Sequence, residues 1–229
     1  MRTLTVAFAF LLILLPSALS AQSDEGVFLT GVSQAINEQQ WDKANDLFRK
    51  AIKTNAGKAE DFYWINVRPD CQARKSLAMD LGLYYKGVRN YEKASSYYQE
   101  LVRIAPGNID YLSQYAAIEV QRGNQQTALD LYQKVLALDE NHLAANIFIG
   151  NYWYLKAEQE KKSIESDYKK IPSPTKMQYA RYKDGLNRVL LTGYGKARVC
   201  LQKVISQFPS TEARKTLDKI QMIEKEVNR

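Results

Sequence analysis

The side chains that could do chemistry are few: His142, the serines Ser95, Ser96 and Ser163, the thiols Cys71 and Cys200, and the carboxylates Glu158 and Glu160. Acyl transfer needs a nucleophile raised on a strained turn beside a base, and none of these serines lies in a Gly-x-Ser-x-Gly elbow. His142 closes the segment Asp139-Glu140-Asn141-His142, between two apolar stretches, where a solvated loop with capping roles is expected. Two cysteines and one histidine fall short of the ligands a zinc site takes. Cys71 is placed near the start of one helix and Cys200 inside another far along the chain, which argues against a disulfide even where the compartment permits one. Glu158 and Glu160 stand two residues apart on a charged helix, hence on different faces, and are expected in solvent. Glycoside hydrolysis would need two carboxylates across a cleft. No glycine-rich phosphate loop is present. No catalytic residue, cofactor or metal site is assigned.

The elements that would position any site repeat themselves. In LGLYYKGVRNYEKASSYYQELVRIAP, residues 81–106, a turn leads to Ala94, then Tyr98 and Leu101. The same order recurs as Gln40-Trp41-Asp42-Lys43-Ala44 with Phe48 and Ala51, and as Asn124 to Ala128 with Tyr132 and Val135. A fourth occurrence is Gly193-Tyr194-Gly195-Lys196-Ala197 with Leu201 and Val204, read here as another turn. Large residues four and seven after each alanine share one helical face. Upstream, Leu81, Gly82 and Tyr85 mark a second helix. Gly82 and Ala94 are expected at the crossing of the two, since a larger side chain would push the axes beyond their usual ~8–10 Å.

This pattern resembles the tetratricopeptide repeat, whose unit of about 34 residues carries Leu-Gly, Tyr, Ala, an aromatic and Pro at these spacings. Residues 75–108 match best, with Leu81, Gly82, Tyr85, Ala94, Tyr98 and Pro106. Residues 109–142 have Ala116 and Glu140 in the glycine and proline slots, and residues 25–58 have Val32 in the glycine slot. The fourth unit, 143–209, keeps Gly150 and Trp153. The chain is thus similar to small exported tetratricopeptide proteins of Gram-negative bacteria. The resemblance implies an all-α fold: antiparallel helix-turn-helix repeats stacked as a right-handed solenoid, as one domain over 21–229.

Two stretches break the spacing. Ala44 and Ala94 are 50 residues apart, and the excess falls near GKAEDFYWINVRPDCQAR. The adjacent Phe62, Tyr63 and Trp64 are expected to plug a junction from a loop or short helix; a ligand-stacking cluster is the alternative. Ala128 and Ala197 are 69 residues apart. Either a degenerate repeat or an insertion over 156–193 accounts for this. Because 156–170 continues a helical pattern without a glycine turn and Pro172-Ser173-Pro174 then forces one, two long helices forming a projecting hairpin are favoured. Tyr179, Tyr182, Leu186 and Leu190 return on one face. A last helix over 210–229, capped by Ser210 or Thr211, covers the final apolar surface with Ala213, Leu217, Ile220, Ile223 and Val227.

Arg2, the apolar run TVAFAFLLILLPSALS and the small residues Ala18 and Ser20 read as a signal peptide over 1–20, cut before Ala21. Export, with the periplasm as destination, is the expectation. The net charge is +7 and uneven: residues 21–155 carry 14 basic and 16 acidic side chains, residues 156–229 carry 17 and 9. An exported chain has little access to nucleic acid, so the basic third points to solvated faces or to peripheral contact with an anionic surface.

On the family analogy the first helices line a concave groove with Met79, Leu83 and Lys86, then Ser113, Ala117 and Gln121, then Ile147, Asn151 and Tyr154. The set is mixed and rather apolar, and suits an extended or hydrophobic segment of a protein or peptide partner in the envelope. A non-catalytic scaffold is the leading reading. The others are attachment to an anionic envelope component through 156–229, and an enzyme or enzyme-associated domain with a site near Phe62–Trp64.

Overall fold

The computed structural model describes residues 24–228, which are helical with no strand among them. The signal peptide expected over 1–20 lies outside the described residues. No helix among the described residues is long and apolar enough to cross a membrane. The chain divides into two compact units, 1–62 and 63–229.

In the first unit, α1 (Asp24–Asn37) precedes α2 (Trp41–Asn66), whose first 22 residues belong to this unit and whose end belongs to the second. Val32, Ala35, Ala44, Phe48 and Ala51 form its core, all fully buried. The close approach is made at Gly31, where a Cβ would meet Leu47 Cδ1 at 3.0 Å. Asn55 has extended backbone (φ −153°, ψ 94°) and breaks α2 in the middle. Its Oδ1 accepts the Lys58 N–H at 3.1 Å, so the break is itself an N-cap that restarts the helix. The insert before α3 is therefore chiefly helix. Phe62 packs on Phe48 with ring centroids 6.2 Å apart.

The second unit is a helical repeat solenoid of paired helices: α3 (Arg74–Gly87) with α4 (Tyr91–Ile104), α5 (Ile109–Gln121) with α6 (Gln125–Leu138), then α7 (Leu143–Lys169). Helix starts follow local chemistry. Asn90 and Asn108 accept the Lys93 and Tyr111 N–H groups, and Ser210 accepts that of Ala213. The turns at Arg89 and Gly123 both place one residue at positive φ, 59° and 79°. Each lies five residues before the repeat alanine, Ala94 or Ala128, as Gln39 (φ 57°) does before Ala44 in the first unit.

Gly82 lies at the crossing of α3 and α4, as expected. A Cβ on Gly82 would touch Tyr98 Cε2 at 3.0 Å and Tyr97 Cβ at 3.4 Å. Gly150 likewise faces Leu201, at 2.9 Å. Tyr98 and Leu201 both stand four residues after a repeat alanine. The glycine leaves room for that large side chain, and the alanine sits one turn away.

Residues 156–193 form the inserted helical hairpin. α7 runs unbroken through Lys161 and Ser163 and pairs with α8 (Lys176–Val189). The Gly193-Tyr194-Gly195 segment, read as a turn, is helix instead. Leu190–Tyr194 forms one π-helical turn that leads directly into α9 (Gly195–Gln207). Two glycines make an ordinary α-turn weak there, and a close neighbour, Ala157, presses against Gly193. Bulges of this kind absorb such a constraint without ending a helix. α10 (Thr211–Val227) closes the unit with Ala213, Ile220 and Val227 buried and Leu217 and Ile223 half-buried.

Candidate functional site

The groups that could be reactive are occupied by structural work. His142 is the N-cap of α7: its Nδ1 accepts the Ala145 N–H at 3.3 Å. Neighbouring Glu140 pairs with Lys203 at 2.9 Å. Cys71 is half-buried in the turn before α3, and Cys200 is buried in α9 with its thiol pushed up by desolvation. Glu158 is not free in solvent as expected: it accepts the Tyr194 hydroxyl at 2.5 Å, joining α7 to the π-turn. Burial and that carboxylate both raise Tyr194 far above the usual phenol range. No group of three His, Cys, Asp or Glu among the described residues is placed to hold a metal.

Ser95 is paired with a buried carboxylate, Glu119, at 2.6 Å. That carboxylate also accepts from Arg122 and Asn124, each at 2.7 Å, and Arg122 reaches Glu92 at 2.7 Å. Burial pushes the Glu119 carboxyl up, but the hydrogen bonds from Ser95, Asn124 and Arg122 outweigh it and leave the group below its ordinary value. A serine donating to a low-pKa acid that is itself capped by a guanidinium has no base to activate it. This network locks α4 to α5.

Within the second unit, Tyr63 belongs to a filled core, while Trp64 is 46% exposed at its edge. Tyr63 is fully buried, and Trp64 stacks on Tyr97 with centroids 5.7 Å apart while its indole N–H donates to the Tyr97 hydroxyl at 3.2 Å. The Arg74 guanidinium lies 4.7 Å above the Tyr63 ring and donates to Glu100 at 3.0 Å. No ring face of Tyr63 is left for a ligand. Burial pushes the Tyr63 phenol up to about 12.

The nine groove positions fall on α3, α5 and α7 with unequal access. Leu83, Gln121, Ile147 and Asn151 are exposed; Met79, Lys86, Ala117 and Tyr154 are half-buried; Ser113 is buried. Lys86 donates to Gln114 across α3 and α5. Tyr154 stands edge-on against Tyr194, centroids 6.0 Å apart.

Open surface concentrates on α7. α6 begins at Gln125, and the Tyr152 hydroxyl meets Gln126 at 3.3 Å. α7 continues well past that level to Lys169, so its face beyond Tyr152 has no α6 to cover it. The step leaves a cleft of about 410 Å³ between Gln125, Phe148, Asn151, Tyr152, Leu155, Lys156 and Gln159. Leu155 is 59% exposed, and Phe148 and Tyr152 form a partly open floor with centroids 6.2 Å apart. Three amide side chains and the Lys156 ammonium rim this apolar floor; the amides can donate to and accept from a peptide backbone. Of these residues only Asn151 stands among the nine groove positions. Phe148, Tyr152 and Leu155 were not singled out from the sequence. The missed signal was the length of α7 set against the shorter α6.

Paired helices, repeated glycine–large contacts and an open helical face define an α-helical repeat protein. The tetratricopeptide repeat profile matches residues 76–108. The crystal structure of a Bacteroides ovatus protein, provisionally described as a protein binding protein, is 53% identical; the match covers 89% of this chain and 98% of that one, with a TM-score of 0.77. A tetratricopeptide repeat protein of Bacteroides fragilis is 16% identical over 87% of this chain and 99% of that one, with a TM-score of 0.47. None of the curated proteins matches. The chain belongs to the tetratricopeptide repeat family.

Proposed function

We propose that this protein is an exported, non-catalytic scaffold of the cell envelope that holds an extended, largely apolar segment of a partner protein. The observation that carries the reading is the α7 step, where Leu155 is exposed over an aromatic floor and Gln125, Asn151 and Gln159 stand at its edge. Apolar side chains of the segment would lie on Phe148 and Tyr152, and its backbone amides would meet the three carboxamides. The 53% identical relative, provisionally described as protein binding, supports the same class of role. The predicted signal peptide supports export.

Site-directed photo-crosslinking in cells tests the site. A photoreactive residue at Leu155 or Asn151 should trap one protein, and the same residue at exposed Lys219 should not. Trapping at all three positions alike, or at none, would sink the reading. Cell fractionation with N-terminal sequencing tests the location: the mature chain should begin at Ala21 and leave the cytoplasmic fraction.

A further inference from the structure

The distal end of the inserted hairpin has a composition the groove does not use. Lys183 is tied to α10 by its ammonium, which donates to the Val227 carbonyl. Beyond that tether, the ring contacts join α7 to α8 alone. Tyr168 stacks on Tyr182 with centroids 4.2 Å apart and planes at 16°, and Tyr179 lies 6.3 Å from each. The tip is therefore held together by ring packing between α7 and α8. Its turn exposes Pro172 and Pro174, and Met177 and Tyr179 are 67% and 50% exposed.

The charges around these apolar groups are unbalanced. Glu165 is taken by Lys161 and Asp167 by Lys170, at 2.7 and 2.9 Å. Lys169, Lys176 and Arg181 are left with no carboxylate partner among the described residues. The tip combines exposed methionine, tyrosine and proline with unpaired cations. A bilayer surface suits this combination: its headgroup region accepts tyrosine and short apolar side chains, and its phosphates pair with lysine and arginine.

We propose that the hairpin tip docks reversibly on an anionic lipid surface. Met177 and Tyr179, on different faces of the first turn of α8, enter the headgroup layer together as the tip approaches end-on, and Lys169, Lys176 and Arg181 face lipid phosphates. Few apolar groups are involved, so binding depends on charge and weakens with salt. The proposal stands apart from the α7 cleft, and either can fail alone.

Co-sedimentation of the mature chain with phosphatidylglycerol-containing vesicles and with pure phosphatidylcholine vesicles tests it. Binding is expected to the first only, and to fall as ionic strength rises. A K169Q/K176Q/R181Q variant should lose roughly tenfold or more in apparent affinity, and an M177S/Y179S variant should also weaken. Circular dichroism on both variants, whose changed side chains are exposed, checks that helicity is retained. Equal binding to both vesicle types, unchanged binding by the triple variant, or no binding to anionic vesicles overturns the proposal. Self-association of the chain that M177S/Y179S abolishes, without vesicle binding, would assign the tip to a second copy and overturn it equally.

Discussion

Gly193 and Ala157 meet so closely that a Cβ on the glycine would stand 2.7 Å from the alanine Cβ. This contact fixes where the π-turn Leu190–Tyr194 lies against α7, and so sets the register of the long helical pair. Helix propensity favours alanine over glycine by about 1 kcal/mol. Overpacking at such a distance costs about 1–3 kcal/mol. Gly193→Ala is therefore expected to destabilise the protein, with Ala157→Gly recovering part of the loss. Urea denaturation of the two single variants and the double variant measures the coupling. A higher midpoint for Gly193→Ala would show that the contact does not constrain the pair.

The three inter-helix turns make a matched experiment in backbone conformation. Gly123 sits at φ 79° with open space around an added Cβ, so Gly123→Ala pays only for the left-handed backbone, about 1 kcal/mol. Arg89 holds an L-residue at φ 59°, and Arg89→Gly should gain a similar amount, less the extra entropy of the unfolded glycine. Thermal midpoints moving in opposite directions are the expected result; a shift of the same sign for both would contradict it.

The buried carboxylates set the acid limit of stability. Hydrogen bonds from Arg103 and Arg74 outweigh burial and hold Glu100 low, and Glu119 is held low by its three donors against a larger burial effect. A carboxyl whose folded value is depressed contributes stability above its unfolded value, near 4.3, and loses it as pH falls through the folded one. Glu119→Gln should cost about 1–3 kcal/mol at neutral pH and flatten the acid limb below about pH 4. Denaturation curves from pH 3 to 7 (a range of about four units) check both effects; an unchanged acid limb would mean that Glu119 does not titrate with folding.

Tyr63 governs the opposite limit. Burial raises its phenol to about 12 from the model-peptide value of 10.0, so its contribution is intact below pH 10 and lost as pH climbs toward 12. Its buried hydroxyl has no hydrogen-bond partner among the described residues. Tyr63→Phe should therefore leave neutral-pH stability unchanged or raised by up to about 1 kcal/mol, and push alkaline unfolding upward. Loss of more than about 2 kcal/mol at neutral pH would instead reveal a bond the hydroxyl makes.

The helices, the repeat and its caps were legible because their causes are local. Apolar spacing of four and seven, serine before Thr211 and the Pro-Ser-Pro turn act within a few residues of chain. So did the inserted hairpin, since an uninterrupted helical pattern over 156–170 leaves no room for a turn. What only the tertiary structure decided were pairings between distant residues: Tyr98 against Gly82, Tyr194 against Glu158, and a π-turn where two glycines suggested a loop. The open cleft at Leu155 belongs to the same group, because it exists only through the difference in length between α7 and α6. Periodicity records which face of a helix is apolar; how far a neighbour extends to cover that face is settled by packing across many residues of intervening chain.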